Sequence, residues 1–177
     1  MIRREFNPEG KRKHHRKGRE NTMTIIEYNT RLNDLRLPII AETRTKYKID
    51  GRRQYCDPAA LADLFGDVIG LRQAAEEYVY IAAFDSKLRI IGVFEAGHGT
   101  INTSIIDVRG IYQKSLMLGA AFVAVAHNHP TGDCTPSKDD IAITGTLKKA
   151  GDIIGVKLID HLIIGSGFFS FRNSGNF

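Results

Sequence analysis

Tryptophan is absent from this chain of 177 residues, cysteine occurs only at Cys56 and Cys134, and proline only five times. Two cysteines make no disulfide framework, which excludes a small secreted scaffold held together by cross-links. No long hydrophobic run exists: the best, Ala120 to Ala126, is far short of the roughly 18 to 20 residues that a membrane-crossing helix needs. The opening stretch MIRREFNPEGKRKHH contains no apolar segment of the kind that directs secretion. The expectation is a soluble protein of the reducing cytoplasm, without a membrane partner.

Excess positive charge is missing everywhere except at one end. Residues 1–20 hold 8 Lys and Arg against 3 Glu, a net +5 that equals the formal charge of the whole chain, so the remainder sums to zero. A pI near 9.3 therefore describes a tail and not a basic folded surface. Two readings of the tail stand. One is a disordered solubilising arm over residues 1–22, which has few large apolar side chains. The other is a weak nucleic-acid contact through Arg3 to Arg19, centred on Lys11 to Lys17 and strongly salt-dependent.

What is present is an ordinary core composition, 42% hydrophobic, in a chain about one domain long. The expected organisation is a tail over 1–22, an arm of edge strands over 23–56, and one domain over 57–177. In the arm, short alternating stretches at 35–40 and 45–49 are closed by the turn signal Asp50-Gly51. Asp57-Pro58 followed by Ala59, Ala60, Leu61, Leu64 and Phe65 predicts a capped short helix. Tyr78 to Phe84 and Leu88 to Phe94 read as a hairpin turning at Asp85-Ser86-Lys87, and Val108 to Leu118 as a helix. Ala121 to Ala126 reads as a buried strand, Ser137 to Ala150 as a helix ended by Gly151, and Lys157 to Ile164 as a further strand, with Phe168 to Arg172 closing the sheet. This mixed order argues for a layered α/β domain.

The chemistry concentrates in His127-Asn-His-Pro-Thr-Gly-Asp-Cys-Thr-Pro-Ser-Lys-Asp-Asp140. His127 and His129 follow an apolar strand two residues apart, so both imidazoles leave from the same face. Pro130 and Gly132 break the strand, and Thr135-Pro136-Ser137 resembles a helix start with Asp139 and Asp140 in its first turn. A chain that folds back here sets a carboxylate opposite two imidazoles, giving three protein ligands with a fourth position open, as catalytic zinc requires. Such zinc lowers the pKa of its water from about 15.7 to about 7, and a carboxylate nearby must still carry protons. An isolated H-x-H is otherwise more often a pair of strand-end residues bonded to backbone, and serine at a helix start is equally at home as a cap.

His127, His129, Ser137 and Asp140 together, H-x-H followed after seven residues by S-x-x-D, resemble the JAMM motif of the JAB/MPN metalloprotease superfamily. The flanks GTIN at 99–102, HNHPTGD at 127–133, TPSKDD at 135–140 and LIDHLIIG at 158–165 are similar to the RadC family, over roughly Pro58 to Arg172. The resemblance implies a single mixed-sheet JAB/MPN-like, cytidine-deaminase-like α/β domain flanked by helices. It implies zinc held by His127, His129 and Asp140, with Ser137 bonding the oxyanion. It further implies a proton-carrying glutamate at the start of the first core strand, for which Glu77 fits, Glu95 being the second choice. Glu76, one residue away, points to the opposite face.

The implied activity is zinc-dependent hydrolysis of a peptide or isopeptide bond in a peptide or protein substrate. A historical association of RadC proteins with DNA repair implies a second class, a nucleic-acid accessory, and MPN-like domains that have lost turnover a third. The chain departs from the family pattern at Ile106-Asp107-Val108-Arg109-Gly110, where a V-H-P-R-E-like start is usual. It departs again at Cys134, where proline is usual and where a thiolate is expected to compete for the open metal position. Asp160-His161 is read either as support for a ligand or as core, and His98, between two glycines, as a loop residue with access to substrate. The consecutive His-Asn-His is not the dispersed HNH of nucleases, and the H-x-E with P-C-x-x-C of zinc deaminases is absent.

Overall fold

The computed structural model describes residues 21–99, 106–175 and 177. The basic segment Arg3 to Arg19 and residues 100–102 of the GTIN motif lie outside the described residues.

Among the described residues, seven strands form one mixed sheet in the order β2-β1-β4-β3-β5-β6-β7. The strands are β1 (Thr22–Leu32), β2 (Pro38–Asp50), β3 (Glu77–Phe84), β4 (Ile90–Gly99), β5 (Phe122–Asn128), β6 (Lys157–Ile164) and β7 (Phe168–Ser170). The helices are α1 (Pro58–Asp63), α2 (Val108–Met117) and α3 (Lys138–Ile154). β3 runs antiparallel to both β4 and β5, while β5 and β6 are parallel. A parallel pair needs a crossover, and α3 supplies it.

Alternation along the strands gives the sheet two buried faces. Ala82, Phe84, Ala124, Ala126, Leu162 and Ile164 pack under α1. Val79, Ile81, Ala83, Val123 and Val125 pack under α2 and α3, against Ile111, Tyr112 and Leu147. The result is three layers, helix on sheet on helix. No helix among the described residues is long and apolar enough to cross a membrane.

The N-terminal arm is one long antiparallel hairpin whose turn is tied by Asn33 Oδ1, which accepts from the backbone N–H groups of Leu35 and Leu37. Residues 35–37 therefore belong to the turn and not to a strand. β1 joins the rest of the sheet in parallel with β4 through the single pairing of Glu27 with Val93. Ile25 and Ile49 are buried in the α1-side core.

Several boundaries differ from expectation: β4 runs on past Phe94 to Gly99 and so carries His98 on a strand and not a loop, and two further shifts have local reasons. Leu88 adopts φ 59°, the left-handed region, because Asp85 Oδ1 gathers the N–H groups of Lys87 and Arg89 into the turn. β4 accordingly begins at Ile90. Helix α3 does not end at Gly151 but runs a further turn to Ile154, with Gly155 at φ 82° as its left-handed cap. Gly151 instead marks a close approach: a Cβ there would meet Tyr112 Oη and the Val156 carbonyl oxygen, each at 2.6 Å. At α1 the expected cap is present, with Asp57 accepting from Ala60 N at 2.9 Å and Pro58 in the first turn.

Candidate metal centre

The site lies at one end of the sheet, on the α2–α3 face. β5 delivers His127 on the face of Val123 and Val125, and β3 delivers Glu77 on the face of Val79 and Ile81. Because Val79 pairs with His127 in the antiparallel register, Glu77 comes opposite the position just past the end of β5, where His129 stands. One ligand atom each from Glu77, His127 and His129 lie within 4.8 Å of one another.

Asp140 approaches from the first turn of α3. Its Oδ1 is 3.2 Å from His127 Nε2, and its Oδ2 is 3.8 Å from His129 Nε2. A capping box fixes this carboxylate: Ser137 N and Ser137 Oγ both donate to Oδ2 at 2.7 Å, while Asp140 N donates back to Ser137 Oγ at 3.1 Å. Burial acts to raise the Asp140 carboxyl, but the contact with His127 and the bonds from Ser137 outweigh it and hold it well below the usual carboxylate range. Asp139, its neighbour, is exposed. The His127 side chain is 1% exposed, whereas His129 at 22% and Asp140 at 13% stay in reach of solvent, so the centre is a floor with an open side.

The hydrogen bonds assign the imidazole tautomers. His129 Nδ1 faces the Asp133 carbonyl at 2.7 Å, and a carbonyl only accepts, so Nδ1 carries a proton and Nε2 is the nitrogen that points inward. Gly132, at φ 83°, makes the turn that brings that carbonyl round, and a Cβ on it would meet Ser166 Oγ at 2.6 Å. On the other ring, His127 Nδ1 meets His161 Nε2 at 3.0 Å. His161 is fully buried, stacks on Phe171, and is driven neutral by that burial and by the neighbouring His127. Two imidazole Nε2 atoms and a carboxylate thus converge, a set of atoms that could hold a cation. The donor set, two nitrogens and one carboxylate oxygen with Glu77 alongside, suits zinc.

Other expected residues sit elsewhere. Glu95 lines a cavity of about 490 Å³ with Glu76, Tyr78 and Tyr80, on the opposite face of the sheet. His98 stacks on Tyr78 and bonds Glu76 away from the centre. Cys134 does not enter the centre, since its Sγ turns toward the Gly132 carbonyl at 3.9 Å. Asp160, one residue from His161, points to the other face, where it accepts from Ser170 Oγ at 2.6 Å and Arg172 N at 3.1 Å and pins the C-terminal turn.

Asn128 was not singled out from the sequence. Its Oδ1 accepts from Tyr78 N at 2.9 Å and its Nδ2 donates to the Glu76 carbonyl at 2.9 Å, clamping the backbone on both sides of Glu77. Strand alternation between two site histidines was the available signal. Beside His129 opens a cleft of about 240 Å³ lined by Arg72, Asn128, Gly132, Gly165 and Ser166. Arg72 does not reach into it as a free cation, because it is tied to Asp67 and to the carbonyls of Gly165 and Gly167.

Residues 56–176 match the family model of the RadC-like JAB domain. The chain belongs to this family. A UPF0758 protein of Pelobacter propionicus is 40% identical over 134 residues, covering 72% of this chain and 58% of the relative. A UPF0758 protein of Thermotoga maritima is 45% identical over 100 residues, 56% of this chain and 45% of the relative. A third, from Clostridium beijerinckii, is 35% identical over 134 residues, 75% of this chain and 57% of the relative. The chain spans about half the length of the curated relatives it matches. Within the RadC-like JAB domain fall Glu77, His127, His129, Ser137 and Asp140, whereas hairpin β1–β2 lies outside the matched residues.

Proposed function

We propose that this protein is a zinc-dependent hydrolase of peptide or isopeptide bonds, of the RadC/JAMM type. The observation that carries the reading is the convergence of two imidazole Nε2 atoms and the Asp140 carboxylate, with Glu77 beside them and an open cleft next to His129. His127, His129 and Asp140 would hold the ion. When bound, it supplies Lewis acidity, polarising a carbonyl and making water a nucleophile at neutral pH.

The remaining work falls to the chain's own groups. Glu77 is half-buried, and among the described residues no side-chain hydrogen bond restrains its carboxylate, so it is free to take a proton from the attacking water and pass it to the leaving amine nitrogen. The Ser137 hydroxyl, which donates to Asp140 Oδ2, turns to the oxyanion, while Ser137 N keeps hold of that carboxylate. Peptide specificity is supported by the resemblance to JAMM metalloproteases, and the cleft beside His129 suits a narrow segment of polypeptide.

The test is metal content of the purified protein by mass spectrometry, followed by hydrolysis of peptide and isopeptide libraries. About one zinc per chain, lost in His129→Ala and Asp140→Ala, with chelator-sensitive cleavage, is the expected result. A wild type without zinc affinity overturns the reading. Nucleic-acid contact through Arg3 to Arg19 is a separate proposal, which a chelator leaves intact and deletion of residues 1–22 abolishes.

A further inference from the structure

Behind His127 stands a chain of contacts that ends inside helix α3. Thr144 Oγ1 lies 2.6 Å from the Asp140 carbonyl oxygen and 2.6 Å from His161 Nδ1. Thr144 is buried, one helical turn below Asp140, and His161 is 0% exposed, so no solvent takes part.

Only one direction of hydrogen bonding satisfies every group. A backbone carbonyl accepts and never donates, so the Thr144 hydroxyl proton must point at Asp140 O; two oxygens at 2.6 Å without a proton between them would repel. With its proton committed, Thr144 Oγ1 accepts, and His161 Nδ1 must donate to it. A neutral ring protonated at Nδ1 has a bare Nε2, which accepts from His127 Nδ1 at 3.0 Å. His127 thus carries a proton on Nδ1, and Nε2, aimed at Asp140 and His129, is the nitrogen left to face the centre. Reversing any one bond would protonate His127 Nε2 and close it as a ligand. The ring of His161 is fully buried and stacked against Phe171 at 5.1 Å and 11°.

The geometry points to Thr144 and His161 as positioning residues that set the tautomer of His127 and so make it a metal ligand. The inference leans on the metal-site reading for its consequence, though the direction of the relay stands on its own contacts. Because the relay starts at the carbonyl of Asp140, the residue whose side chain faces the same centre, α3 sets two of the proposed ligands at once.

Two measurements test it. The first is the long-range proton–nitrogen spectrum of the zinc-free full chain with nitrogen-15 histidine, in which His161 and His127 are expected to carry their protons on Nδ1. A proton on Nε2 of His161 overturns the relay. The second is zinc affinity by chelator competition. Thr144→Val, which removes the hydroxyl at constant shape, is expected to bind zinc about 10- to 100-fold more weakly. Thr144→Ser keeps the hydroxyl and is expected to bind as wild type does. A merely structural role would lower the melting temperature of the zinc-free valine variant and leave its affinity and the His127 tautomer unchanged, which also overturns the proposal. If the wild type takes up no zinc, the hydrolase reading fails, and the spectrum alone decides the relay.

Discussion

The Nε2 atoms of His127 and His129 face each other at 3.1 Å, while the other nitrogen of each ring is engaged, by His161 and by the Asp133 carbonyl. A bound cation would take both nitrogens and the Asp140 carboxylate as ligands. Zinc is therefore expected to raise the thermal unfolding midpoint of the protein. At free zinc about a hundredfold above its dissociation constant the stabilisation is about 2.7 kcal/mol, or roughly 5 to 11 °C in a chain of this size. Differential scanning fluorimetry with a zinc series checks this, and Asp140→Ala should show no shift.

The proposed roles give Glu77 the proton and leave the ion to His127, His129 and Asp140. Glu77→Gln is expected to keep the zinc-dependent thermal shift and to lose about 100- to 10,000-fold in turnover. A variant that lost the shift as well would place Glu77 among the ligands. Comparing fluorimetry with cleavage of one identified substrate separates the two roles.

Gly151 sits where helix α3 crosses α2, and its hydrogen occupies space that a methyl group cannot. Gly151→Ala would drive a Cβ onto Tyr112 Oη and the Val156 carbonyl, disturbing the bond from Tyr112 Oη to the Leu147 carbonyl at 2.7 Å. The expected loss is about 1 to 3 kcal/mol, despite the better helix propensity of alanine. Urea denaturation measures it.

The Asp160 carboxyl is held above its usual range by burial, which prevails over the bonds from Ser170 and Arg172. Between the unfolded value of about 3.9 and the higher folded value, the native state binds more protons than the unfolded one. This group's contribution to stability therefore falls as pH rises through that window, and below it the group is neutral to folding. Asp160→Asn is expected to flatten that part of the curve of unfolding free energy against pH, compared by urea titrations in steps from pH 3.5 upward.

Much of this architecture was legible in residue order because its signals are local. β6 begins and ends at Lys157 and Ile164 as its apolar run does, and the spacing of His127 and His129 places both rings on one face whatever surrounds them. Gly151 misled because a glycine that ends a helix and a glycine that lets two helices touch look alike in one dimension; only the position of Tyr112 tells them apart. The hairpin of β1 and β2 reads as an arm, since its attachment to β4 rests on one long-range parallel pairing that no local pattern encodes. Asp160 and His161 were ambiguous together, yet strand alternation alone divides them, one to each face. The tautomers could not be read from sequence, because they depend on two carbonyl oxygens brought in by the fold, that of Asp133 in the loop and that of Asp140 on α3.

Helix α3 answers to two masters along its length. Its first turn carries Ser137 and Asp140, its second Thr144, and its middle the core residues Leu147 and Gly151. A rod held this way passes a shift at one end on to the other, so, with the proposed ion bound, substitutions deep in the interior are expected to register as altered ion affinity. Variation tolerated elsewhere in the core should be scarce along this one helix, and a search for altered metal preference would do better to begin among its packed residues than around the rim.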